Sequence, residues 1–421
     1  MAFKSVKGTR DILPGDSERW QFVEHAIRQA MRRFNYREIR TPVFEETALF
    51  ARGIGEDTDI VGKEMYTFLD KGKTSLTLRP EMTAPVVRSY LQHNLQHQSP
   101  LQKLFYIAPM FRQERPQAGR LRQFHQFGME AIGLDSPRLD AEIIALAAQI
   151  YHTLDISFTL KINSVGDPVC RPAYRDELQG FLASVFDDLS PDSQRRVETN
   201  PLRVLDSKDH GDREVTKGAP SILDFLCEPC RLHFDDVLQQ LDAIGIAYVV
   251  DARLVRGLDY YTKTAFEFIS GDLGAQDALG GGGRYDNLAE QLGGKPTPAV
   301  GFAAGLERLL MVMEQNGFVF PEPEIDVFLV ALDEQSRKWA FKESYALRAA
   351  GLAVDIDYAD RSIKAQMREA NRQRARFVVI IGEEELATET ASIKNMQSGE
   401  QLNISFVELQ QFLMDNIEKS R

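Results

Sequence analysis

The segment from Phe105 to Gly133 constrains the fold of this chain more than any other, because it predicts two strands joined by a polar loop. The turn is predicted from Pro116 to Gly119, where proline and glycine favour a change of direction. The second strand alternates regularly, so its side chains divide between the two faces of a sheet. One face carries Arg122, Phe124, Gln126 and Glu130, and the other carries Gln123, His125, Phe127 and Met129.

The face that carries Phe124 and Glu130 mixes a cation, an aromatic ring, an amide and a carboxylate. The preceding strand places Arg112 and Glu114 on a common face as well. A fully buried face would not use this mixture, because each unpaired polar group costs roughly 2–7 kcal/mol in apolar surroundings. Solvated hairpins often carry charges, but the interleaved phenylalanine and glycine favour a surface that stacks a base and holds phosphate.

Composition excludes several classes of protein. A chain of 421 residues, 43% of them hydrophobic, is long enough for roughly two to three domains. Its net charge of −12 argues against general adhesion to nucleic acid and still allows a local basic patch. Three cysteines cannot build a disulfide framework, and neither a signal peptide nor a membrane span is predicted, so we expect a soluble cytoplasmic protein.

A strand is predicted from Tyr36 to Val43, after an amphipathic helix, and Pro42 lies inside it. Because proline lacks the amide donor, this strand must lie at a sheet edge or break there. A helix followed by such a strand suits a dimer contact, although the pattern alone favours an ordinary edge strand.

Glu81 lies at the predicted start of a helix, where Pro80 and Thr83 are typical first-turn residues. Two roles fit its carboxylate. It can serve the helix dipole, or it can receive the ammonium group of a substrate. The pattern alone favours the first role.

Residues 168–241 predict a charged helical insertion without strong strand patterns. Within it, Cys227 and Cys230 have the spacing of half a zinc site, and the remaining candidate ligands are Cys170 and the nearby His233. A single Cys-x-x-Cys pair without a second pair favours structural free cysteines, so no metal site is predicted.

Two further stretches carry groups suited to a site. The stretch 254–262 contains Arg256 and the adjacent Tyr260 and Tyr261, whose rings are predicted on opposite sides of an extended chain. The glycines from 280 to 283 allow a backbone to approach a ligand closely, or else form a flexible loop. They do not form a P-loop, because no Lys-Ser/Thr pair follows.

Pro321 and Pro323 mark a linker, after which strands and helices alternate from 325 to 421 as in a small α/β domain. The predicted helix 362–374 has a basic face, formed by Arg361, Lys364, Arg368 and Arg372. In an acidic chain this face suits contact with phosphates, but a solvated surface explains the charge pattern equally well.

These segments resemble the class II aminoacyl-tRNA synthetases and, within them, the histidyl-tRNA synthetase family. Three segments are similar to the class signatures: the helix and strand ending at Pro42, the Phe-Arg-Gln-Glu run at 111–114, and Gly-Leu-Glu-Arg-Leu-Leu-Met at 305–311. The stretch 254–262 and the motif Gly-Gly-Arg-Tyr-Asp at 282–286 are similar to the histidine-specific motifs, and the opening run 8–14 also matches. The resemblance covers nearly the whole chain.

The resemblance implies an α+β catalytic domain with an antiparallel sheet over residues 1–320, a helical insertion at about 168–241, and an α/β anticodon-binding domain over 325–421. It further implies a homodimer that uses ATP with Mg²⁺ to convert L-histidine into histidyl-adenylate. The histidyl group then moves to the 3′ end of tRNA(His). The alternative is the non-catalytic relative that serves as a regulatory subunit of ATP phosphoribosyltransferase, which typically lacks the anticodon domain and the arginine–tyrosine stretch.

For the substrate histidine, the resemblance implies that Glu81 and Thr83 receive the α-ammonium group. It assigns the rest of the histidine pocket to Gln126, Glu130, Tyr260, Tyr261 and Tyr285. Because neutral imidazole has one donor and one acceptor nitrogen, a carboxylate and a phenol together can recognise both.

For ATP, the resemblance implies that Arg112 and Arg256 are the catalytic cations, which adjoin the bound histidine and stabilise charge on the α-phosphate. Phe124 and Arg308 would sandwich the adenine ring, and Glu114 would accept a hydrogen bond from its amino group.

Three further positions bear on the expected site. Arg368 and Arg372 on the basic helix face are the predicted contacts with tRNA. Met82 stands between Glu81 and Thr83, where the family pattern has a glycine, so the shape of this turn is left open.

Overall fold

The structure is a computed structural model that describes residues 3–55, 58, 60–117, 119–207, 209–256, 258, 260–271 and 278–418. The chain divides into two compact units, Met1–Phe320 and Pro321–Arg421.

The strands of the first unit are β1 (Arg37–Glu38), β2 (Phe44–Glu46), β3 (Tyr66–Leu69), β4 (Ser75–Leu78), β5 (Gln102–Phe111), β6 (Gln123–Ile132), β7 (Thr159–Ser164), β8 (Val249–Val250), β9 (Thr262–Ile269), β10 (Ala278–Arg284) and β11 (Ala299–Gly305). Its α-helices are α1 (Asp16–Arg33), α2 (Thr47–Ile54), α3 (Thr83–Gln92), α4 (Pro137–Thr153), α5 (Arg171–Ser184), α6 (Pro191–Thr199), α7 (Leu202–Leu205), α8 (His210–Val215), α9 (Glu228–Ala243), α10 (Leu288–Gln291) and α11 (Leu306–Gln315).

An eight-stranded sheet forms the centre of the first unit, in the order β1-β5-β6-β11-β10-β9-β7-β8. All its pairings are antiparallel except β1 with β5 and β7 with β8, which involve two-residue strands at the two edges. The predicted α+β class is therefore confirmed, with a sheet that is mixed only at its edges. The predicted strand from Tyr36 to Val43 is too long, because β1 ends at Glu38. The edge position and the break expected from Pro42 are both found, since β1 is an edge strand and pairing resumes only at Phe44, in a separate sheet, β2-β4-β3.

The predicted central hairpin is confirmed as β5 and β6, which pair in register from Gln102 opposite Ile132 to Phe111 opposite Gln123. Phe127 and Met129 on β6 belong to the largest core cluster, together with buried residues of α1 and α4. Burying each such side chain stabilises the fold by about 1.5–3 kcal/mol. This packing fixes which face of β6 is left for the site.

The glycine-rich run is not a loop, because Gly280–Gly283 lie inside strand β10 between β11 and β9. A Cβ on Gly282 would lie 2.0 Å from the carbonyl oxygen of Gly301, and one on Gly280 would lie 2.5 Å from the Cβ of Ala304. The glycines therefore allow neighbouring strands and side chains to pack closely.

Helices α5 to α9 lie between β7 and β8 in the chain. The segment before α9 buries a small core of its own, formed by Tyr174, Leu178, Leu182, Leu189, Val197, Val204, Leu205 and Ile222, whereas α9 packs Phe234, Val237 and Leu241 into the main core. The second unit contains β12 (Val327–Ala331), β13 (Val354–Ile356), β14 (Phe377–Ile381), β15 (Thr390–Asn395) and β16 (Gln401–Ser405), with α12 (Glu334–Ala349), α13 (Ile363–Arg372), α14 (Glu383–Thr388) and α15 (Phe406–Glu418). Its sheet has the order β13-β12-β14-β15-β16, and β12 pairs in parallel with both β13 and β14. The predicted partly parallel α/β arrangement is confirmed here.

Candidate active site

A cleft of about 230 Å³ opens over the middle of the large sheet. Strands β6, β10 and β11 form its floor, and the segment after β5 and the start of α11 line it as well. Six of the predicted site residues line this one cleft: Arg112, Glu114, Phe124, Gln126, Arg256 and Arg308.

Arg112 is held in place from several sides. Its Nε donates a hydrogen bond of 2.9 Å to the carbonyl oxygen of Pro80, and its guanidinium lies 5.4 Å from the centre of the Phe124 ring. Glu114 lies 3.8 Å from Arg112 and also accepts a 3.1 Å hydrogen bond from Arg120, in the loop after β5. The aromatic ring and cation predicted from β6 and β5 therefore adjoin, with the carboxylate between two arginines.

Arg256 enters the cleft from the other side and forms a 2.6 Å ion pair with Glu267 of β9. A Cβ on Gly281 would lie 2.5 Å from the Arg256 guanidinium, so this glycine makes room for the cation. Glu267 was not singled out from the sequence, because an isolated charge in a strand is usually solvated. At the rim, Arg308 donates to the carbonyl oxygen of Ala278.

Glu130 lies deeper in the protein than the cleft and is 1% exposed. Thr83 Oγ1 donates to it over 2.9 Å and the Tyr285 hydroxyl donates over 2.5 Å. Burial is the main cause that raises the pKa of Glu130 to about 8, while these hydrogen bonds act in the opposite direction. Gly301 leaves space for this carboxylate, since a Cβ there would lie 1.7 Å from its Oε2.

Glu81 caps helix α3, because its two carboxylate oxygens accept hydrogen bonds from the backbone amides of Thr83, at 2.7 Å, and Ala84, at 3.0 Å. Burial raises the pKa of Glu81, and these backbone hydrogen bonds oppose the shift. Met82 adopts φ −116° and ψ −16°, a conformation that needs no glycine, and its side chain is buried in the core cluster around the tyrosines. The helix-capping role favoured by the pattern is therefore present.

The predicted separation of Tyr260 and Tyr261 is wrong. Both rings are buried in the same cluster, with centres 4.8 Å apart, and Tyr285 lies 5.7 Å from Tyr260. Strand β9 begins only at Thr262, so the alternation of an extended chain does not apply to the two tyrosines. Burial raises the pKa of all three hydroxyls.

Sequence reasoning missed Tyr106, which stands opposite Gly128 in the β5–β6 register. A Cβ on Gly128 would lie 2.3 Å from the Tyr106 hydroxyl, so the ring occupies the space over this glycine, between Gln126 and Glu130 on the face of β6. The hydroxyl is buried next to Thr83 and Glu130, but within the described part of the chain no group meets both the distance and the angle of a good hydrogen bond with it. The available signal was a tyrosine on the alternating strand β5, but only the strand register reveals the glycine opposite it.

Sequence reasoning also gave no indication of the structural role of Arg284, which lies in the motif at 282–286. It is completely buried in ion pairs with Asp140 at 3.1 Å, Asp286 at 3.1 Å and Asp135 at 3.3 Å. His233 of α9 contacts the same buried Asp140 at 3.2 Å. This network joins β10 to α4 and α9, and none of its members lines the cleft.

The basic face predicted in the second unit is partly neutralised, both on α13 and just before it. Arg372 pairs with Glu369, and Arg361 forms a 2.5 Å ion pair with Asp357. Among the residues that the structure describes, Arg368 has no ion-pair partner.

The fold and the arginine-lined cleft together define a class II aminoacyl-tRNA synthetase. The family described as histidyl-tRNA synthetase matches residues 8–309, and the family described as anticodon binding domain matches residues 326–416. The chain belongs to the histidyl-tRNA synthetase family.

Individual relatives agree with this assignment. The chain is 52% identical to the histidine–tRNA ligase of Halothermothrix orenii, over 97% of this chain and 98% of that protein. It is 51% identical to the enzyme of the same name from Geobacillus kaustophilus over the full length of both. The crystal structure of apo histidyl-tRNA synthetase from S. aureus matches with a TM-score of 0.83 and 41% identity, covering 98% of this chain and all of that one. Within the described residues, no helix combines the length and apolar character needed to cross a membrane.

Proposed function

We propose that this chain activates L-histidine with ATP and transfers the histidyl group to the 3′ end of tRNA(His). One observation carries the proposal. Strand β6 contributes to two adjoining places. Its residues Phe124 and Gln126 line the cleft that contains the arginines, and its residue Glu130 belongs to a buried cluster of carboxylate and phenol groups. The cleft suits a nucleotide, and the buried cluster suits a small polar side chain that it encloses completely.

Histidine recognition is assigned to the buried cluster. Glu130 accepts a hydrogen bond from one imidazole nitrogen, and a tyrosine hydroxyl faces the other, so that both nitrogens are satisfied. Thr83 and Glu81 face the α-ammonium group. The unpaired hydroxyl of Tyr106 supports this assignment, because an unsatisfied buried polar group costs about 1–3 kcal/mol and a polar ligand would satisfy it. The remaining residues assigned to this pocket are Gln126, Tyr260, Tyr261 and Tyr285.

Activation takes place where Arg112 and Arg256 face each other across the cleft. The histidine carboxylate attacks the α-phosphorus of ATP, the bond to the bridging oxygen breaks, and pyrophosphate leaves. The two guanidiniums stabilise the charge that develops on the α-phosphate oxygens. The 3′-terminal hydroxyl of the tRNA then attacks the acyl carbon and AMP leaves. No side chain has to act as a nucleophile, because positioning and fixed charge suffice.

Two parts of ATP are assigned contacts in the cleft, the adenine base and the phosphates with their Mg²⁺. Phe124 and Arg308 sandwich the adenine, and Glu114 accepts a hydrogen bond from its amino group. ATP enters as its Mg²⁺ complex. The carboxylate of Glu267, which also lines the cleft, would offer a hard oxygen ligand of the kind that Mg²⁺ takes, and the ion would supply further neutralisation of phosphate charge.

The first unit is assigned as the catalytic domain, over 1–320 with the insertion at about 168–241, and residues 325–421 are assigned as the anticodon-binding domain, with Arg368 and Arg372 as contacts with tRNA. A homodimer and a cytoplasmic location belong to the same proposal. Exposed Phe44, Phe68 and Leu69 on the small sheet support the dimer, because exposed apolar groups on one sheet mark association surfaces.

The regulatory-subunit alternative is not favoured. The full-length relatives at about 50% identity carry the name histidine–tRNA ligase. A structure named as an ATP phosphoribosyltransferase regulatory subunit/histidyl-tRNA synthetase, from Bacillus halodurans, is 23% identical with a TM-score of 0.63, which reflects the shared fold alone.

The test is ATP–pyrophosphate exchange measured with each of the standard amino acids in turn. We expect exchange with histidine and none above background with the others. Exchange that is absent with histidine, or equal with another amino acid, would overturn the proposal. Charging of tRNA(His) transcripts then tests the second step separately.

A further inference from the structure

The three cysteines of the chain lie together in the first unit, outside the cleft. Cys170 comes from the turn after β7, and Cys227 and Cys230 come from the start of α9. Asp167 completes the group, and one ligand atom from each of the four residues lies within 4.8 Å of all the others. Cys170 and Cys230 are buried, and the other two are half-buried. The sequence favoured three unconnected free thiols, because the separation of Cys170 from the pair concealed this cluster.

Three of the six distances between the ligand atoms are close to the edges of a tetrahedron around one ion, and the other three are at most 4.8 Å. A zinc–sulfur bond of about 2.3 Å implies sulfur–sulfur edges of about 3.8 Å, and mixed sulfur–oxygen edges of about 3.6 Å. The Sγ atoms of Cys170 and Cys230 are 3.8 Å apart. The Asp167 carboxylate oxygens lie 3.2 Å from Cys170 Sγ and 3.8 Å from Cys227 Sγ.

The backbone around the group favours negative charge. Cys170 immediately precedes helix α5 and Cys227 immediately precedes helix α9, so two helix N-termini meet at the ligand atoms. Their partial positive charges stabilise thiolates. Gly166, at φ +64°, makes room for the group, because a Cβ there would lie 2.7 Å from Cys170 Sγ.

Two simpler explanations fit less well. The 3.8 Å between the sulfurs of Cys170 and Cys230 is a contact distance and not that of a bonded pair. A cluster of packed free thiols explains the cysteines, and Asp167 Oδ1 accepts hydrogen bonds from the backbone amides of Val169, at 2.9 Å, and Cys170, at 3.1 Å. Neither explains why the second carboxylate oxygen, Oδ2, lies 3.8 Å from Cys227 Sγ.

We propose that Cys170, Cys227 and Cys230 bind one Zn²⁺ ion as thiolates and that the carboxylate of Asp167 is the fourth ligand. With all four positions filled by protein, the site is structural and leaves no open position for a reacting water. Its chemistry is independent of the aminoacylation proposed above.

The position of the site indicates what the ion stabilises. Gly166 accepts a 2.7 Å hydrogen bond from the amide of Lys263, and Arg171 donates to the carbonyl oxygens of Val165, at 2.8 Å, and Tyr261. The metal would therefore hold the helical insertion against the end of β7 and the start of β9, next to Tyr260 and Tyr261. The binding of the ion does not rest on the proposed function.

The first experiment measures the metal content of the full-length chain by inductively coupled plasma mass spectrometry, after purification without chelators. We expect about one zinc per chain, and a large loss of zinc in Cys227→Ser and Cys230→Ser. Asp167→Asn should lower the affinity for the metal by at least about ten-fold. Asp176→Asn, at an exposed position on α5, is the matched control and should retain the wild-type metal content.

The second experiment needs no substitution, so a poorly folding variant cannot obscure the result. The metal-free wild-type chain is titrated with Co²⁺, and we expect a sulfur-to-cobalt charge-transfer band and the intense visible bands of a tetrahedral site. A Co²⁺ spectrum without thiolate bands would overturn the proposal, as would a purified chain without zinc whose three thiols all react with a thiol reagent. A Cys170–Cys230 disulfide in the purified chain would overturn it too, and wild-type metal affinity in Asp167→Asn would overturn the fourth ligand.

Discussion

Arg256 is half-buried and forms an ion pair that leaves it in the lining of the cleft. Glu267 holds the guanidinium by a 2.6 Å ion pair, and Gly281 provides the space beside it. An arginine held in this way cannot reorient easily, so little reorganisation is needed when charge develops nearby. The stretch 254–262 predicted a charged residue near the tyrosines, but its partner on β9 follows only from the fold.

Replacing Arg256 tests this preorganised charge. Arg256→Ala should lower the rate of histidine-dependent pyrophosphate exchange by about 10²–10³-fold, because one fixed donor at the developing charge is lost. Histidine binding, measured by calorimetry, should survive. Arg253→Ala is the matched control, since Arg253 donates to Thr216 and to the carbonyl oxygen of Arg213 and does not line the cleft. An unchanged exchange rate in Arg256→Ala would contradict the assignment.

Glu130 gives the stability of the first unit a specific pH dependence. Its pKa of about 8 lies above the ordinary 4.5, so between these values the folded chain keeps a proton that the unfolded chain has lost. The contribution of Glu130 to the free energy of unfolding is therefore fully present below pH 4.5. It decreases as the pH rises towards 8, by up to about 1.4 kcal/mol per pH unit.

Glu130→Gln should flatten this decline, because the amide cannot ionise. Urea unfolding at several pH values between 5 and 8 measures the slope for both proteins. Equal slopes would show that Glu130 does not hold a proton in the folded state. In the same variant we expect the KM for histidine to rise more than the KM for ATP, because Glu130 is assigned to the imidazole and lies outside the nucleotide cleft.

At the scale of secondary-structure elements, Arg284 and Asp140 connect the central strand β10 to helix α4. Both side chains are completely buried, and they lie 3.1 Å apart. A buried pair contributes little net stability, but breaking it leaves one charge without a partner. The motif at 282–286 therefore stabilises the fold through Arg284, and its neighbour Tyr285 is the residue assigned to the proposed histidine pocket.

Arg284→Met should lower the free energy of unfolding of the first unit by about 3–5 kcal/mol, because Asp140 loses its main cation. Adding Asp140→Leu to the same chain should recover part of the loss. The chain has two tryptophans, one in each unit, so a Trp339→Phe background lets Trp20 fluorescence report the first unit alone. Lys217→Met, which breaks an exposed ion pair with Glu214, is the control and should have little effect. A similarly small effect of Arg284→Met would contradict the role of the network.

Elements that depend on local pattern were predicted well. The β5–β6 hairpin, helix α3 and the alternating strands of the second unit follow from periodicity and turn residues. The glycine-rich run was harder, because a strand with four glycines has no strand-forming side chains and depends on neighbouring strands to define it.

At the scale of the whole molecule, adenylate formation is assigned to the first unit and contact with the anticodon part of tRNA to the second. The two activities should therefore respond to different substitutions. On α13, Arg372 is engaged by Glu369, whereas Arg368 is the more available cation within the described residues.

Reversing both charges, by Arg368→Glu and Arg372→Glu, should impair charging of tRNA(His) and spare pyrophosphate exchange. Of the single variants, Arg368→Glu should have the larger effect. It should also reduce the slope of log Kd against log salt by about one, as expected when one phosphate contact is lost. Lys342→Glu on α12, the same charge reversal on another helix of this unit, is the control. Charging that equals wild type in the double variant would leave the face as a solvated surface.

The sequence by itself determined the class of fold and the residue types of the site, because periodicity, turn chemistry and local motifs are properties of neighbouring residues. Only the tertiary structure decided which of these groups meet. Tyr285 reaches Glu130 across 155 positions, and Cys170 reaches Cys230 across 60. Such contacts depend on strand register and helix packing, where a shift of one residue turns every side chain to the opposite face. For this reason the central hairpin was evident from its pattern, whereas the tyrosine over Gly128 and the cysteine cluster were not.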